Sequence, residues 1–336
     1  MNYWGHTTPV VVFAHYRLSM CPAGFGRVLP PRSIWRGPEV ARSAAGAREA
    51  ATEHHTEVRG MTPQLMAGVD EIATETRVCE GWTYAVMPPS CIEAIDADVS
   101  SCIVKDFHGK TFKPPQASEY QELLASARQH IENSGCGLLS FTLLDTSWKD
   151  QFVSFAERLV SNAMMTAGIS DPEALSLAQH LFPGLLTLQR LTAHLTASTI
   201  EIEIDSDSVS QRLGTSAVTV RGRALPTARL LEFAYEGHRK RQFPTSPRLR
   251  RQGLRALDDA KSRCIQVADV FGNFALAYIF VHLGLRTRGR VAKASVLSAV
   301  FGDILDASSL SKDVTLAGGS DLALTQPGGL TLGIGS

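Results

Sequence analysis

The chain has 336 residues, 44% of them hydrophobic and 20% charged, which provides for a sizeable core and excludes wholesale disorder. Lys+Arg and Asp+Glu stand at 33 each, so no global field of one sign announces a nucleic-acid or membrane partner. The balance is local, however: residues 221–293 hold 16 Lys/Arg against 5 Asp/Glu, so a basic face can coexist with overall neutrality.

Residues 1–60 carry no pattern that specifies a fold. Positions 21–38 are rich in Pro, Gly and Arg, and 41–58 are polar and only weakly helical. Two readings stand for this segment, a flexible N-terminal arm or a start site placed too early, with Met61 the first residue. The apolar run 9–14 lacks a basic flank and is too short for the core of a signal peptide.

From Met61 the pattern is regular. Residues 65–69 form an apolar strand ending in Asp70-Glu71, and 78–87, with Trp82, Tyr84 and Val86 alternating, predict a second strand closed by Pro88-Pro89. Phe107-His108-Gly109-Lys110 is a loop. Tyr120, Leu123, Leu124, Ala127 and Ile131 place a helix over 118–133, ended by Gly135, and 138–144 is another strand. Residues 150–167, with Met164-Met165 as core packing, and 172–195 predict a helical middle section, interrupted at Pro183-Gly184. Residues 200–204, Ile-Glu-Ile-Glu-Ile, are the cleanest period-two strand and run into Asp205-Ser206-Asp207-Ser208. Residues 225–241 predict a basic helix, 248–257 a short basic strand, 264–283 a buried helix and 291–305 one more helix; 314–334 suggests short strands or coil.

The stretch 264–284 is apolar enough to suggest a membrane span. Asp269 at its centre would be costly in lipid, so a buried helix in a soluble protein is expected. Six cysteines without a C-x-x-C pair or a Cys/His cluster argue against structural zinc and suit a reducing cytoplasm. Adjacent strands followed by alternating helices and strands predict an α/β protein with a mixed sheet flanked by helices.

Three acids fall where they can meet. Asp70 and Asp205 end strands, and Asp269 lies inside the apolar helix, where a carboxylate is rare unless paired or bound to metal. Such an oxygen cluster suits Mg²⁺ or Mn²⁺ and the hydrolysis of phosphodiesters. Ordinary structural roles compete. Asp70 can open a turn, Asp205 or Asp207 can cap a helix begun at 206–212, Glu201 and Glu203 suit a solvated sheet face, and His108 and Lys110 suit an exposed loop.

The segments Ala67-Gly68-Val69-Asp70-Glu71, Phe107-His108-Gly109-Lys110 and Ile265-Gln266-Val267-Ala268-Asp269 resemble, in order and approximate spacing, the signature blocks of the bacterial family filed as domain of unknown function 3800. The resemblance spans about 61–285, leaving 286–336 as a C-terminal extension. Ile72-Ala73 replaces the family's Ser-Gly, and Asp258-Asp259-Ala260-Lys261-Ser262 matches its Asp-Ser-Lys block only loosely. The resemblance implies an RNase H-like mixed sheet and a metal-dependent nuclease acting on DNA or RNA. Asp70, Asp205 and Asp269 would be ligands of Mg²⁺ or Mn²⁺, Glu71 a candidate fourth, and His108 and Lys110 neighbours of the phosphate or attacking water. The basic block fits a phosphate-tracking surface, with Arg239, Lys240, Arg241, Arg250 and Arg251 as candidate nucleic-acid contacts. Phe243 is the only aromatic among them, which supports base stacking poorly.

Two alternatives remain. One is a non-catalytic module of the same fold that binds nucleic acid or protein in a mobile-element or defence system. The other is a hydrolase of a smaller phosphorylated substrate, disfavoured by the lack of a glycine-rich phosphate loop, a G-x-S-x-G elbow or an H-E-x-x-H helix.

Overall fold

A computed structural model describes residues 10–13, 64–73, 79–145, 158, 161–162, 172–195, 197–207, 210–220, 222–282, 284–302 and 329–335. Residues 1–18 and 63–336 form one compact unit; the second, 19–62, lies outside the described residues, as does nearly all of the expected helix 150–167.

The protein is α/β, with a mixed sheet flanked by helices. Its strands are β1 (Val10–Phe13), β2 (Gln64–Ala73), β3 (Cys79–Met87), β4 (Leu138–Asp145), β5 (Thr199–Asp205), β8 (Arg248–Leu257) and β9 (Gly329–Gly335), while β6 (Ala217–Val220) and β7 (Arg223–Pro226) make a separate hairpin. The order in the main sheet is β1-β9-β4-β3-β2-β5-β8. β2, β3 and β4 pair antiparallel; β2, β5 and β8 pair parallel, so the C-terminal ends of these three strands share one edge. The five strands β4-β3-β2-β5-β8 form a mixed parallel and antiparallel sheet, consistent with the RNase H-like sheet that the resemblance implies.

Period-two alternation divides the side chains between two faces. Leu65, Ala67 and Val69, Trp82, Tyr84 and Val86, and Ile200, Ile202 and Ile204 bury against α3 (Pro172–Thr192) and α5 (Thr227–Gln242). The opposite face carries Ile72, Ala85, Met87, Leu139 and Phe141 under α1 (Pro89–Asp98), α2 (Ala117–Ser134), α6 (Arg263–His282) and α7 (Arg288–Phe301). A fourth, single-turn helix, α4 (Arg212–Thr215), follows β5. Asp70, Glu203 and Asp205 belong by parity to the α6 face.

Gly68 sets the depth of α6. A Cβ at this position would lie 2.2 Å from the Cys264 carbonyl carbon and 2.5 Å from the Ile265 nitrogen, so only glycine lets the first turn of α6 lie on β2. Ser262 caps that turn by accepting from the Ile265 N–H (3.2 Å), and its hydroxyl donates to Glu203 Oε2 (2.5 Å), tying α6 to β5. Among the described residues α6 is the one helix long and apolar enough to cross a membrane; here it is a core helix, buried from Cys264 through Gly272.

Three expectations change. Pro88-Pro89 closes β3 but also opens α1, with Pro89 in the first helical position, where a missing N–H costs nothing. Pro183-Gly184 does not interrupt α3, which runs continuously past it; Tyr84 on the sheet donates its hydroxyl to the Gly184 carbonyl (3.1 Å), fixing the helix where proline weakens the backbone ladder. The boundary at 285 does not hold either. Ala294, Val296, Leu297, Val300 and Phe301 of α7 complete the core over α6, and β9 pairs with β4 along its length.

Candidate metal centre

The C-terminal ends of β2 and β5, the loop before α2 and the second turn of α6 meet on one face of the sheet. Asp70 comes from β2, Asp205 from β5, His108, Gly109 and Lys110 from the loop, and Asp269 from α6. Asp70 and Asp269 are 4% and 2% exposed. Their carboxyls are near enough to raise and lower one another's proton affinity, and Asp205 acts electrostatically on both.

Asp269 is held from three sides. Its Oδ2 receives the Gly109 N–H (2.7 Å) and contacts His108 Nδ1, and its Oδ1 receives the Asn273 amide (2.5 Å) from one turn along α6. Gly109 must be glycine for this approach, since a Cβ would stand 2.5 Å from that of Asn273. Burial alone would raise the Asp269 pKa; the hydrogen bond and charge of His108, with the Gly109 N–H, outweigh it and hold the carboxyl below its usual range. In return the hydrogen bond that His108 Nδ1 donates to Asp269 raises the His108 pKa against the effect of burial. The imidazole is thus oriented by its Nδ1, while its Nε2 makes no hydrogen bond among the described residues.

Asp70 is the opposite case. Burial first, then the negative charges of Asp269 and Asp205, push its pKa well up, with Lys110 pulling the other way. Its buried Oδ2 receives no N–H or hydroxyl donor, and a hydrogen bond between the Asp70 and Asp269 carboxyls adds to the rise. Asp205, half-buried, is also raised, by burial and then by the charge of Asp259.

Asp259 is the residue that sequence reasoning missed. It lies in a single 3-10 turn before α6, 3.3 Å from His108 Nδ1, and the nearest ligand-type atoms of His108, Asp259 and Asp269 fall within 4.8 Å of one another. The adjacent Asp258 takes the capping bond of that turn, accepting from the Ala260 N–H (3.1 Å). The double Asp followed by Lys and Ser was the available signal.

Glu71 does not join the cluster. Its side chain leaves β2 on the other face, 3.6 Å from His180 Nδ1 of α3, and His180 Nε2 lies 3.1 Å from Asp207. Neighbours in a strand point to opposite faces, so Glu71 and Asp70 cannot serve one ion. Asp207, not Asp205, makes the turn after β5, accepting from the Ser210 N–H (2.6 Å), which leaves Asp205 for the centre.

The basic candidates separate. Arg239 is buried, with Nη1 on the carbonyls of Pro244 (3.0 Å) and Ser246 (3.2 Å) and Nε on Glu236 (3.0 Å); it is a structural residue and not a surface contact. Lys240 and Arg241 are exposed in the last turn of α5, and Arg250 and Arg251 are exposed on β8.

The donor set fits a hard divalent cation. Asp70, Asp205, Asp259 and Asp269 offer carboxylate oxygens, the donor type such a cation takes. At this centre the ligand-type atoms within 4.8 Å of one another are those of His108, Asp259 and Asp269. The charges of Asp269 and Asp205 that raise the Asp70 pKa are ones a cation would offset. Asp70→Asn is accordingly expected to stabilise the metal-free protein by the order of 1 kcal/mol. A carboxyl whose folded pKa is raised costs stability as pH rises through that value, so the gain is larger at pH 8 than at pH 5. Thermal melts in EDTA at both pH values check this; a lower midpoint for the variant at pH 8 would contradict it.

No family model, curated protein or solved structure matches the chain.

Proposed function

We propose that the protein is a metal-dependent nuclease that hydrolyses phosphodiester bonds of DNA or RNA, of the kind implied by the resemblance to the domain of unknown function 3800 family. The observation that carries this reading is a group of mutually interacting carboxylates on one face of the sheet: buried Asp70 and Asp269 act directly on one another, Asp205 acts on Asp70 and is acted on by Asp269, and Asp259 lies with His108 and Asp269. Asp70, Asp205 and Asp269 would hold Mg²⁺ or Mn²⁺, with Asp259 beside them. Bound there, such an ion supplies Lewis-acid stabilisation of phosphoryl charge and a lowered water pKa.

The remaining residues have separate tasks. Asn273 and the Gly109 N–H fix both oxygens of Asp269, so the carboxylate needs no reorganisation on binding. His108, pinned through Nδ1 and partly exposed, presents Nε2 for proton exchange with water or a leaving oxygen. Lys110 is exposed, and its charge already acts on Asp70 and Asp205; it offers a counter-charge to a phosphate approaching from solvent.

The test is a screen of labelled single-stranded DNA, single-stranded RNA and duplexes with Mg²⁺, Mn²⁺ or EDTA. Cleavage of at least one polymer with either ion and none in EDTA is expected. Absence of cleavage under every condition, or equal cleavage in EDTA, would overturn the reading.

A further inference from the structure

Beyond the acidic cluster, the most organised charged feature is on β8, the strand at the end of the main sheet. Leu249 and Leu254 bury on the α3–α5 face. By alternation Arg248, Arg250 and Arg255 therefore project on the other face, the one that carries Asp205. Five positions separate Arg250 from Arg255, yet the structure brings them to successive same-face places. The register between β5 and β8 shifts between Ile200 and Ile202, and Gln252, at φ 56°, turns the intervening residues into a bulge. Arg248 pairs with Thr199, Arg250 reaches Glu201, and Arg255 pairs with Glu203.

The next same-face residue of β5 is Asp205 of the metal centre. The three arginines and the aspartate thus form a row with a step of two residues, about 7 Å. That step is of the order of the distance between neighbouring phosphates in an extended single strand.

The row is basic toward solvent although carboxylates lie beneath it. Arg250 and Arg255 are 58% and 45% exposed, whereas Glu201 and Glu203 are 13% and 9% exposed. Arg250 bonds Glu201, and Arg255 bonds Glu203 (2.6 Å) and Glu201 (3.3 Å), so the guanidinium stems are fixed and their outer edges left open. Arg248 is exposed and has no ion-pair partner among the described residues. Fixed guanidinium forks at regular spacing suit phosphate oxygens better than they suit scattered carboxylates of a protein surface.

We propose that the β8 row Arg248–Arg250–Arg255 is the binding track for a single strand of nucleic acid, which lies along β8 and delivers a phosphodiester to the carboxylates at the strand end. The proposal rests on the nuclease reading for the direction of the track, and it narrows the substrate to a strand not already paired. Sequence preference is not expected, because phosphate contacts position a strand without reading its bases.

The test is the anisotropy of a labelled 20-nucleotide single strand in EDTA, where cleavage plays no part, over a series of salt concentrations. Arg248→Ser/Arg250→Ser leaves Arg255 and Gln64 to satisfy Glu201, so the fold is kept. The double variant is expected to bind at least about tenfold more weakly, and the slope of log K against log salt to fall by about 1.4, two phosphate contacts at 0.7 each. Unchanged affinity and slope would overturn the track, as would equal competition by polyglutamate or a duplex bound more tightly than the single strand. Failure of the nuclease reading is separately visible: wild type would then bind the strand through the track and cut nothing with either ion.

Discussion

Asp269→Asn is expected to lower metal-dependent strand cleavage at least about 10³-fold, the several kcal/mol that a bound cation contributes to stabilising phosphoryl charge. The substitution keeps the volume but replaces one acceptor oxygen by an amide, which opposes the donors of His108 and Gly109 or of Asn273, whichever it faces. It also weakens the hydrogen bond and removes the negative charge that raise the His108 pKa. Single-strand binding in EDTA should be preserved, because the arginine row of β8 does not involve Asp269. Single-turnover cleavage alongside circular dichroism measures both. Activity within tenfold of wild type would remove Asp269 from the chemistry, whatever the variant's stability.

Gly68→Ala is expected to destabilise the fold by about 3 kcal/mol, the upper range for overpacking, because the added carbon meets backbone that cannot rotate away. The Cys264 carbonyl carbon and the Ile265 nitrogen belong to the first turn of α6, whose displacement would carry Asp269 off the sheet edge. Stability and activity should therefore fall together. Gly237→Ala supplies the opposite sign in the same assay: it lies in α5 with no atom near its missing Cβ, and a gain of about 0.5–1 kcal/mol is expected from helix propensity. Urea unfolding of both variants checks the pair; a cost below 1 kcal/mol at Gly68 would show that α6 does not depend on that contact.

The parts of this centre differ in how visible they are in the amino-acid order. Asp269 announces itself because an acid inside Ile265–Phe271 has no solvated face to occupy, and Asp70 and Asp205 because each directly follows a strand-like run, apolar in one case and alternating in the other. Parity then decides what adjacency conceals. Glu71 is next to Asp70 in sequence and on the other side of the sheet in space, whereas Glu203, two residues before Asp205, shares its face. Asp259 carries no periodic signal, since a single 3-10 turn has no apolar face to mark it.

Charge runs mislead for a related reason. His238-Arg239-Lys240-Arg241 reads as four equivalent surface groups, but a helix turns 100° per residue, and Arg239 faces inward to the carbonyls of Pro244 and Ser246 in the loop after α5. The alignment of Arg250 with Arg255 needs a bulge, and Gly253 hints at one without giving its register. Likewise α1 is short, opens on proline and buries only Cys91 and Ile95, so its periodicity is too brief to register.

Calorimetric titration of Mn²⁺ into the metal-free protein tests the shared-cation claim most directly. Wild type and Glu71→Gln should bind with the same affinity, and Asp70→Asn, Asp205→Asn and Asp269→Asn should each lose the binding isotherm. Absence of binding to the wild type, or an Asp269→Asn protein that takes up Mn²⁺ as the wild type does, would contradict it.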